Sequence, residues 1–422
     1  MENILEKIDN RSSNICVIGL GYTGLPLLMA FSNAGFDVYG LDNNTNKLEI
    51  LQSGRSTISL IPDSEIKKLV CKENVTLLST DMFSATQHAR ECDFIICCVP
   101  TPVYNNMKPN LEPLCKVRDF MKGVQGDKNT GNKYFILEST TFPGCTQQLF
   151  GDVEKLSLMF SPERIDPGNT EFTLENTPKI IGGVDSYIGQ KLYETIISAP
   201  IIKVSTTTSA EMTKLIENIY RFVNISLSNE MATICGKLQI DYKEALEAAS
   251  TKPFGFSKFT PTYKIGGECI GVDPYYFKEF ANDCGMRTKI LDACTEVNEE
   301  RINLLFDHIK WILDSAGKTI RDTTFGFIGV SYKKGIDDCR NSIASELYPL
   351  LLSLGATVYY HDPYVKIFEN IFSIDLSEVC KRCDVAIILT DHSEVDYKYI
   401  KENVDIIIDT KNIYNDPFVY TL

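Results

Sequence analysis

The sequence predicts an α/β protein of two doubly wound units, each a mostly parallel sheet flanked by helices, joined by a central helical domain with one long helix. Three observations carry this expectation. Residues 14–42 read as strand, glycine turn, helix and strand; residues from about 205 to Gly236 keep a helical period without Pro or Gly; and short apolar runs resume after residue 322. A chain of 422 residues is also too long for one hydrophobic core.

Taken in order, "NICVIGLGYTGLPLLMAFSNAGFDVYGLD" opens the first unit as a βαβ segment. The runs "DFIICCV" and "YFILES" alternate with helical stretches and extend a parallel sheet to about residue 205. "SAEMTKLIENIYRFVNISLSNEMATICGKLQ" is the long helix, and "ILDACTEVNEERINLLFDHIKWILDSAG" is a second helical region. "TTFGFIGV", "ATVYYHD", "VAIILT" and "DIIIDT" supply the strands of the last unit. The expected domains are 1–205, 206–315 and 316–422.

With 44% hydrophobic and 23% charged residues, the composition is that of a soluble globular protein. A net charge of −14 argues against non-specific nucleic-acid binding, which needs clustered cations. No apolar run approaches the roughly 18 residues of a membrane span, and "MENILEKIDNRSS" lacks the apolar centre of a secretory signal. A cytoplasmic location is expected. Fourteen scattered cysteines suit a reducing compartment. Cys380 and Cys383 form an isolated C-x-x-C, and His88, His308, His361 and His392 show no ligand spacing, so no metal is expected.

Gly19, Gly21 and Gly24 satisfy G-x-G-x-x-G after a strand and before a helix. The first permits a tight turn, the second admits a pyrophosphate, and the third lets helix and strand pack closely. The helix start then offers backbone N–H groups to the anion. Asp42 ends the second strand, where a carboxylate accepts a ribose hydroxyl and disfavours a 2′-phosphate. The pattern points to a Rossmann-like unit that binds NAD.

A second constellation concerns "GGECIGVDPYYF", where Cys269 follows a glycine pair and precedes Asp273 by four residues. Such a cysteine is either a nucleophile with a helping carboxylate or an ordinary buried thiol beside a turn. Lys214 and Asn218, at i and i+4, share one helix face. That face is either solvated or lines a cleft, where an ammonium and an amide would hold the oxyanion formed when a thiolate attacks an aldehyde.

The blocks "VIGLGYTGLPL", "CVPTPV", "ESTTFPG", "SPERIDPG", "AEMTKLIENIYRFVNISLSNE", "TKPFGF", "GGECIGVDPYYF" and "GVSYKKGIDDCRNS" resemble, in the same order, those of the UDP-glucose/GDP-mannose dehydrogenase family. The resemblance covers nearly the whole chain. "PFGF" followed by the cysteine block is most similar to the branch acting on UDP-N-acetylhexosamines. It implies two successive NAD-dependent oxidations of a sugar C6 hydroxymethyl to a carboxylate, for surface polysaccharide precursors. It also implies a homodimer through the long helix and a C-terminal unit that holds the UDP half of the substrate.

Residue by residue, the resemblance implies Cys269 as the nucleophile, Lys214 and Asn218 as oxyanion partners, and Asp273 as the carboxylate that positions or deprotonates water. Glu163 matches an acid/base glutamate, and Thr140 a threonine near the nicotinamide. Cofactor contacts would come from Gly19, Gly21, Tyr22, Thr23, Gly24, Asp42, Lys47, Pro100, Thr101, Thr140 and Arg340. Substrate contacts would come from Glu163, Arg164, Lys214, Asn218, Gly266, Gly267, Tyr332 and Lys333, with Lys334 the alternative to Lys333. The loop "PTYKIGGEC" departs from the branch: Thr262 and Lys264 replace glycines and Glu268 replaces a histidine, which bears on substrate choice. Alternative functions are a UDP-glucose 6-dehydrogenase, a two-electron hydroxy-acid dehydrogenase and a non-catalytic nucleotide-sugar-binding protein.

Overall fold

A computed structural model describes residues 2–421 apart from 82, 105–107, 127–130, 167, 268–269 and 415–418. The chain divides into two compact units, Met1–Glu217 with Tyr275–Cys284, and Asn218–Pro274 with Gly285–Leu422.

In the first unit, α1 (Glu2–Asp9) precedes β1 (Asn14–Ile18), α2 (Gly24–Asn33) and β2 (Asp37–Asp42). Next come α3 (Thr45–Gln52), α4 (Asp63–Val70), β3 (Val75–Ser79), α5 (Phe83–Glu91) and β4 (Phe94–Cys97). The unit continues through α6 (Glu112–Gln125), β5 (Lys133–Leu137), α7 (Cys145–Phe150), β6 (Leu156–Phe160), β7 (Lys179–Gly183), α8 (Ser186–Tyr193) and β8 (Ile201–Val204). The eight strands are ordered β3-β2-β1-β4-β5-β6-β7-β8. Strand order reverses between β1 and β4, the place where open α/β sheets bind ligands beyond their carboxyl ends. The apolar run of β1 is buried because helices cover both faces: Ile15 and Val17 pack with Leu25 and Leu28, while Cys16 and Ile18 face Leu114 and Phe135.

The sequence predicts a parallel sheet up to about residue 205, but β6 and β7 pair antiparallel. The cause is local. A parallel return needs a crossover, usually a helix, whereas residues 161–178 hold three prolines and form no helix among those described.

The long helix, α9 (Thr207–Lys237), contains the boundary between the units, and α10 (Tyr242–Ser250) follows in the second. Asp241 caps α10 by accepting the Glu244 N–H at 3.0 Å. Residues 275–283 of α11 (Asp273–Asp283) belong to the first unit, and α12 (Lys289–Ser315) to the second.

The second unit then runs through β9 (Thr324–Ile328), α13 (Ile343–Ser353), β10 (Thr357–His361), the short pair β11 (Ile367–Phe368) and β12 (Ile371–Phe372), and α14 (Leu376–Arg382). It ends with β13 (Val385–Ile388), α15 (Tyr397–Asn403), β14 (Ile406–Asp409) and β15 (Tyr420–Thr421). Its five-stranded parallel sheet is ordered β10-β9-β13-β14-β15. Leu305, Ile309 and Ile312 of α12 share a core with Phe325, Phe327, Leu347 and Leu351, so this helix is part of the C-terminal unit's packing. No helix is long and apolar enough to cross a membrane among the described residues.

Candidate active site

The first unit builds a dinucleotide cradle. Gly19 adopts φ +92°, and a Cβ there would approach the Cys98 carbonyl oxygen to 2.8 Å, so the turn after β1 needs glycine. A Cβ on Gly24 would lie 1.9 Å from the Gly19 carbonyl oxygen. Gly21 differs, because a Cβ there would meet nothing within 4 Å. The space it leaves open suits a pyrophosphate. Half-buried Tyr22 and Thr23 complete the turn, and Thr23, the N-cap of α2, makes no side-chain cap, which leaves the helix start available to an anion.

Asp42 does more than end β2. Its Oδ2 accepts the Leu20 N–H at 2.9 Å and the Lys47 ammonium at 2.8 Å, and its Oδ1 accepts the Asn44 N–H at 2.9 Å. The carboxylate expected to meet a ribose thus also anchors the glycine turn and Lys47. Pro100 is exposed and Thr101 half-buried in the segment after β4. The fully buried Tyr276 of α11 donates its hydroxyl to the Thr101 carbonyl at 2.9 Å, and Phe280 stacks on Phe142 at 6.1 Å. Aromatic residues of α11 therefore brace the segments that follow β4 and β5. Sequence reading missed Tyr276, although its period along α11 was visible.

These contacts separate binding from folding. Gly21→Ala is expected to leave thermal stability within about 0.5 kcal/mol while raising the KM for NAD about tenfold or more, equivalent to roughly 1.4 kcal/mol. Gly24→Ala is expected to lower thermal stability, because its methyl meets backbone. Paired melting curves and NAD titrations check both.

Glu163 and Lys214 meet in this unit. Lys214, only 8% exposed on α9, donates its ammonium to the Glu163 carbonyl oxygen at 2.6 Å. This removes the solvated-face reading for Lys214. The Glu163 side chain curls onto its own loop: Oε1 accepts the N–H groups of Arg164 and Ile165 at 2.7 and 2.6 Å, and Oε2 is buried without a hydrogen-bond partner. Arg164 donates to the Pro178 carbonyl at 2.8 Å and pairs with Glu217 at 2.8 Å, rather than turning to the Glu163 carboxylate. Thr140 lies half-buried in the segment after β5.

In the second unit, Asn218 is 7% and Asp273 1% exposed, and the Asn218 amide donates to Asp273 Oδ2. That amide orients the carboxylate. Gly267 adopts φ +84°, and a Cβ on it would come within 2.8 Å of the Tyr332 ring; one on Gly266 would come within 2.3 Å of the Asn341 carbonyl oxygen. The glycine pair thus lies close under Tyr332, which joins three of the residues expected to bind substrate. Lys333 is half-buried, while Lys334 is exposed and 4.0 Å from Asp391. Arg340 makes a two-pronged pair with Asp338, at 2.8 and 2.6 Å. Cys269 and Glu268 lie outside the described residues.

Sequence reading also missed the support of the "SYKKG" turn. Asp362, just after β10, accepts the Val330 N–H at 2.8 Å through Oδ2 and the Val365 N–H at 2.9 Å through Oδ1. Buried His392 places Nε2 3.2 Å from both Asp362 Oδ2 and the Ser331 hydroxyl, and its Nδ1 accepts the Gly335 N–H at 3.1 Å. An accepting Nδ1 puts the proton on Nε2. Burial alone would raise the Asp362 carboxyl, but His392 and the N–H groups of Val330 and Val365 hold it below the ordinary aspartate range. The departures Thr262 and Lys264 are tied within this unit as well, since the Thr262 N–H donates to Asn229 Oδ1 at 2.7 Å and Lys264 pairs with Glu346.

A glycine-turned first sheet and a second parallel sheet whose corresponding turn carries lysines define a two-unit nucleotide-linked dehydrogenase. Comparison with known proteins makes this specific. The NAD-binding domain of the UDP-glucose/GDP-mannose dehydrogenase family matches residues 13–197, the central domain 208–300 and the UDP-binding domain 326–416. The chain belongs to this family: it is an NAD-dependent UDP-sugar dehydrogenase.

Among its relatives, protein CapL of Staphylococcus aureus is 30% identical, covering 95% of this chain and 96% of the relative. UDP-N-acetyl-D-mannosamine dehydrogenase of Methanocaldococcus jannaschii is 32% identical over 95% of this chain and 92% of its own. The solved UDP-D-ManNAc dehydrogenase of Pyrococcus horikoshii superposes with a TM-score of 0.84 at 28% identity, covering 97% of this chain and 98% of that one.

Proposed function

We propose that the protein oxidises the C6 hydroxymethyl of a UDP-N-acetylhexosamine to the uronate in two successive steps, supplying a surface polysaccharide precursor in the cytoplasm. The observation that carries this reading is the buried Lys214 ammonium bonded to the Glu163 backbone carbonyl, which ties the cation to the loop that bears the expected acid/base carboxylate. The names of the relatives support the sugar class.

The turn at Gly19, Gly21 and Gly24 would hold NAD, which when bound would supply the hydride acceptor for each oxidation. Cys269 adds to the C6 aldehyde to give a thiohemiacetal, and its oxidation leaves a thioester that water hydrolyses. Lys214 and Asn218 balance the negative oxygen of both tetrahedral states. Asp273, oriented by Asn218, positions the water, and Glu163 takes up and returns protons through Oε2. Gly266, Gly267, Tyr332 and Lys333 bind the substrate, and Arg340 is the expected cofactor-contacting arginine. The exposed face of α9 formed by Tyr220, Leu227, Met231 and Ile234 pairs with a second copy in a homodimer.

Purified protein incubated with NAD and a panel of UDP-N-acetylmannosamine, UDP-N-acetylglucosamine and UDP-glucose tests the reading. Two NADH per sugar with an N-acetylated substrate preferred is expected, and Cys269→Ala is expected to abolish uronate. One NADH per sugar with released aldehyde would point instead to a two-electron enzyme, and preferred turnover of UDP-glucose would reassign the substrate.

A further inference from the structure

We infer that Lys179 is a positioning residue for Glu163: its buried ammonium, shared between the carboxylates of Glu138 and Glu163, sets the pH at which the Glu163 carboxyl is ready to accept a proton. The inference rests on the acid/base reading of Glu163 proposed above and adds the group that tunes it.

Lys179 opens β7 and is 4% exposed. Its Nζ lies 2.9 Å from Glu138 Oε2 and 3.9 Å from Glu163 Oε2. The first distance is a hydrogen-bonded ion pair; the second is too long for a hydrogen bond but close enough for a strong field where water is scarce. Glu138, fully buried after β5, also accepts the hydroxyl of Tyr193 from α8, and the ammonium sits 5.0 Å above that tyrosine's ring. Because its own loop N–H groups occupy Oε1, Glu163 has only Oε2, the oxygen facing Lys179, free to exchange a proton.

The other charged or titratable groups around the cluster have settled partners or carry no charge. Lys214, from α9, is committed to the Glu163 carbonyl at 2.6 Å, and Arg164 to Glu217 and Pro178. Burial pushes the Cys98 thiol well up, with Glu138 and Glu163 adding to it, so it stays neutral. Burial likewise raises Tyr193, and it raises Glu138 against the lowering effect of the Lys179 ammonium that pairs with its carboxylate. For Lys179 burial works downward, but the carboxylates of Glu138 and Glu163 outweigh it and keep the amine a cation. One cation therefore serves two carboxylates in a desolvated site. Each negative charge competes for it, and removing either Glu138 or Lys179 must move the ionisation of Glu163 in opposite directions.

The test uses the full-length protein, the UDP-sugar turned over fastest in the panel above, and the acid limb of the kcat/KM profile. Lys179→Met is expected to move that limb up by roughly one pH unit and Glu138→Gln to move it down. Lys179→Arg is expected to restore the wild-type limb. The double variant Lys179→Met/Glu138→Gln, which leaves no lone buried charge, is expected to fold even where Lys179→Met does not, and to show a limb between those of the two single variants. In protein labelled with 13C at the glutamate carboxyl, the resonance missing from Glu163→Gln reports the same shifts without requiring turnover.

A purely structural role would lower the melting temperature of these variants but leave limb and resonance in place, and that outcome overturns the inference. Shifts of the same sign in Lys179→Met and Glu138→Gln overturn it too. The acid/base reading of Glu163 fails separately: in that case the limb survives in Glu163→Gln, or the titration of its resonance does not coincide with the limb.

Discussion

Lys214→Ala is expected to slow NADH formation by about 10²- to 10³-fold, the cost of removing one preorganised partner of a developing oxyanion. The ammonium lies in a site 8% exposed, and its 2.6 Å bond to the Glu163 carbonyl fixes it before any reaction begins. Water in the vacated space would reorganise with each turnover, whereas the fixed ammonium does not. The loss should therefore fall mainly on kcat and much less on KM for the sugar. Stability should fall by about 1–3 kcal/mol, because the Glu163 carbonyl loses its donor. Steady-state kinetics beside a melting curve separate the two effects. A kcat reduced less than tenfold in a folded protein would remove Lys214 from the oxyanion site.

The second large effect is structural and lies in the C-terminal unit. Asp362→Ala is expected to destabilise that unit by roughly 3–5 kcal/mol, the range for removing one partner of a buried charged network. The substitution leaves the N–H groups of Val330 and Val365 and the His392 ring without their acceptor. It also loosens the Ser331–Gly335 turn that carries Lys333, so weaker UDP binding should accompany the loss.

The sign of the pH dependence follows from the lowered Asp362 carboxyl. Above the ordinary aspartate value of about 4, the folded protein keeps the full stabilisation of the ionised network. As pH falls through the lower folded value, the folded carboxylate must also take up a proton and the contribution is lost. Denaturant unfolding of wild-type and variant proteins should therefore differ most at neutral pH and draw closer as the pH falls below about 4. A difference that grows on acidification would contradict the assigned network.

Much of the fold was legible in the sequence because its signals are local. Gly19 and Gly24 announce a turn in which backbone meets backbone, and the buried strands β1, β4, β9 and β13 read as continuous apolar runs. The reversal of β7 was harder to see, since its cause is the absence of a crossover helix rather than anything within the strand. Lys214 and Asn218 could be paired from their spacing, but their burial could not be read from it.

Glu138 and Lys179 carried no readable signal, and His392 read only as one of four histidines without ligand spacing. Lys179 and Glu138 are 41 residues apart, and His392 and Asp362 are 30 apart, so only the folded sheets bring these partners together. Asp362 had one usable clue, its place after the second strand of its unit, which repeats that of Asp42 in the first. Each of these carboxylates takes an N–H from the turn after its unit's first strand.

The measurement that tests covalent capture most directly is the mass of Cys269 during turnover. Protein mixed with NAD and the preferred UDP-sugar, quenched in acid within the first turnovers and digested, should yield the Cys269 peptide carrying the mass of a UDP-uronosyl thioester. Substitution of Cys269 by alanine should remove both the adduct and the uronate. Uronate formed at the wild-type rate by the alanine variant, with no adduct on the native peptide, would contradict the account.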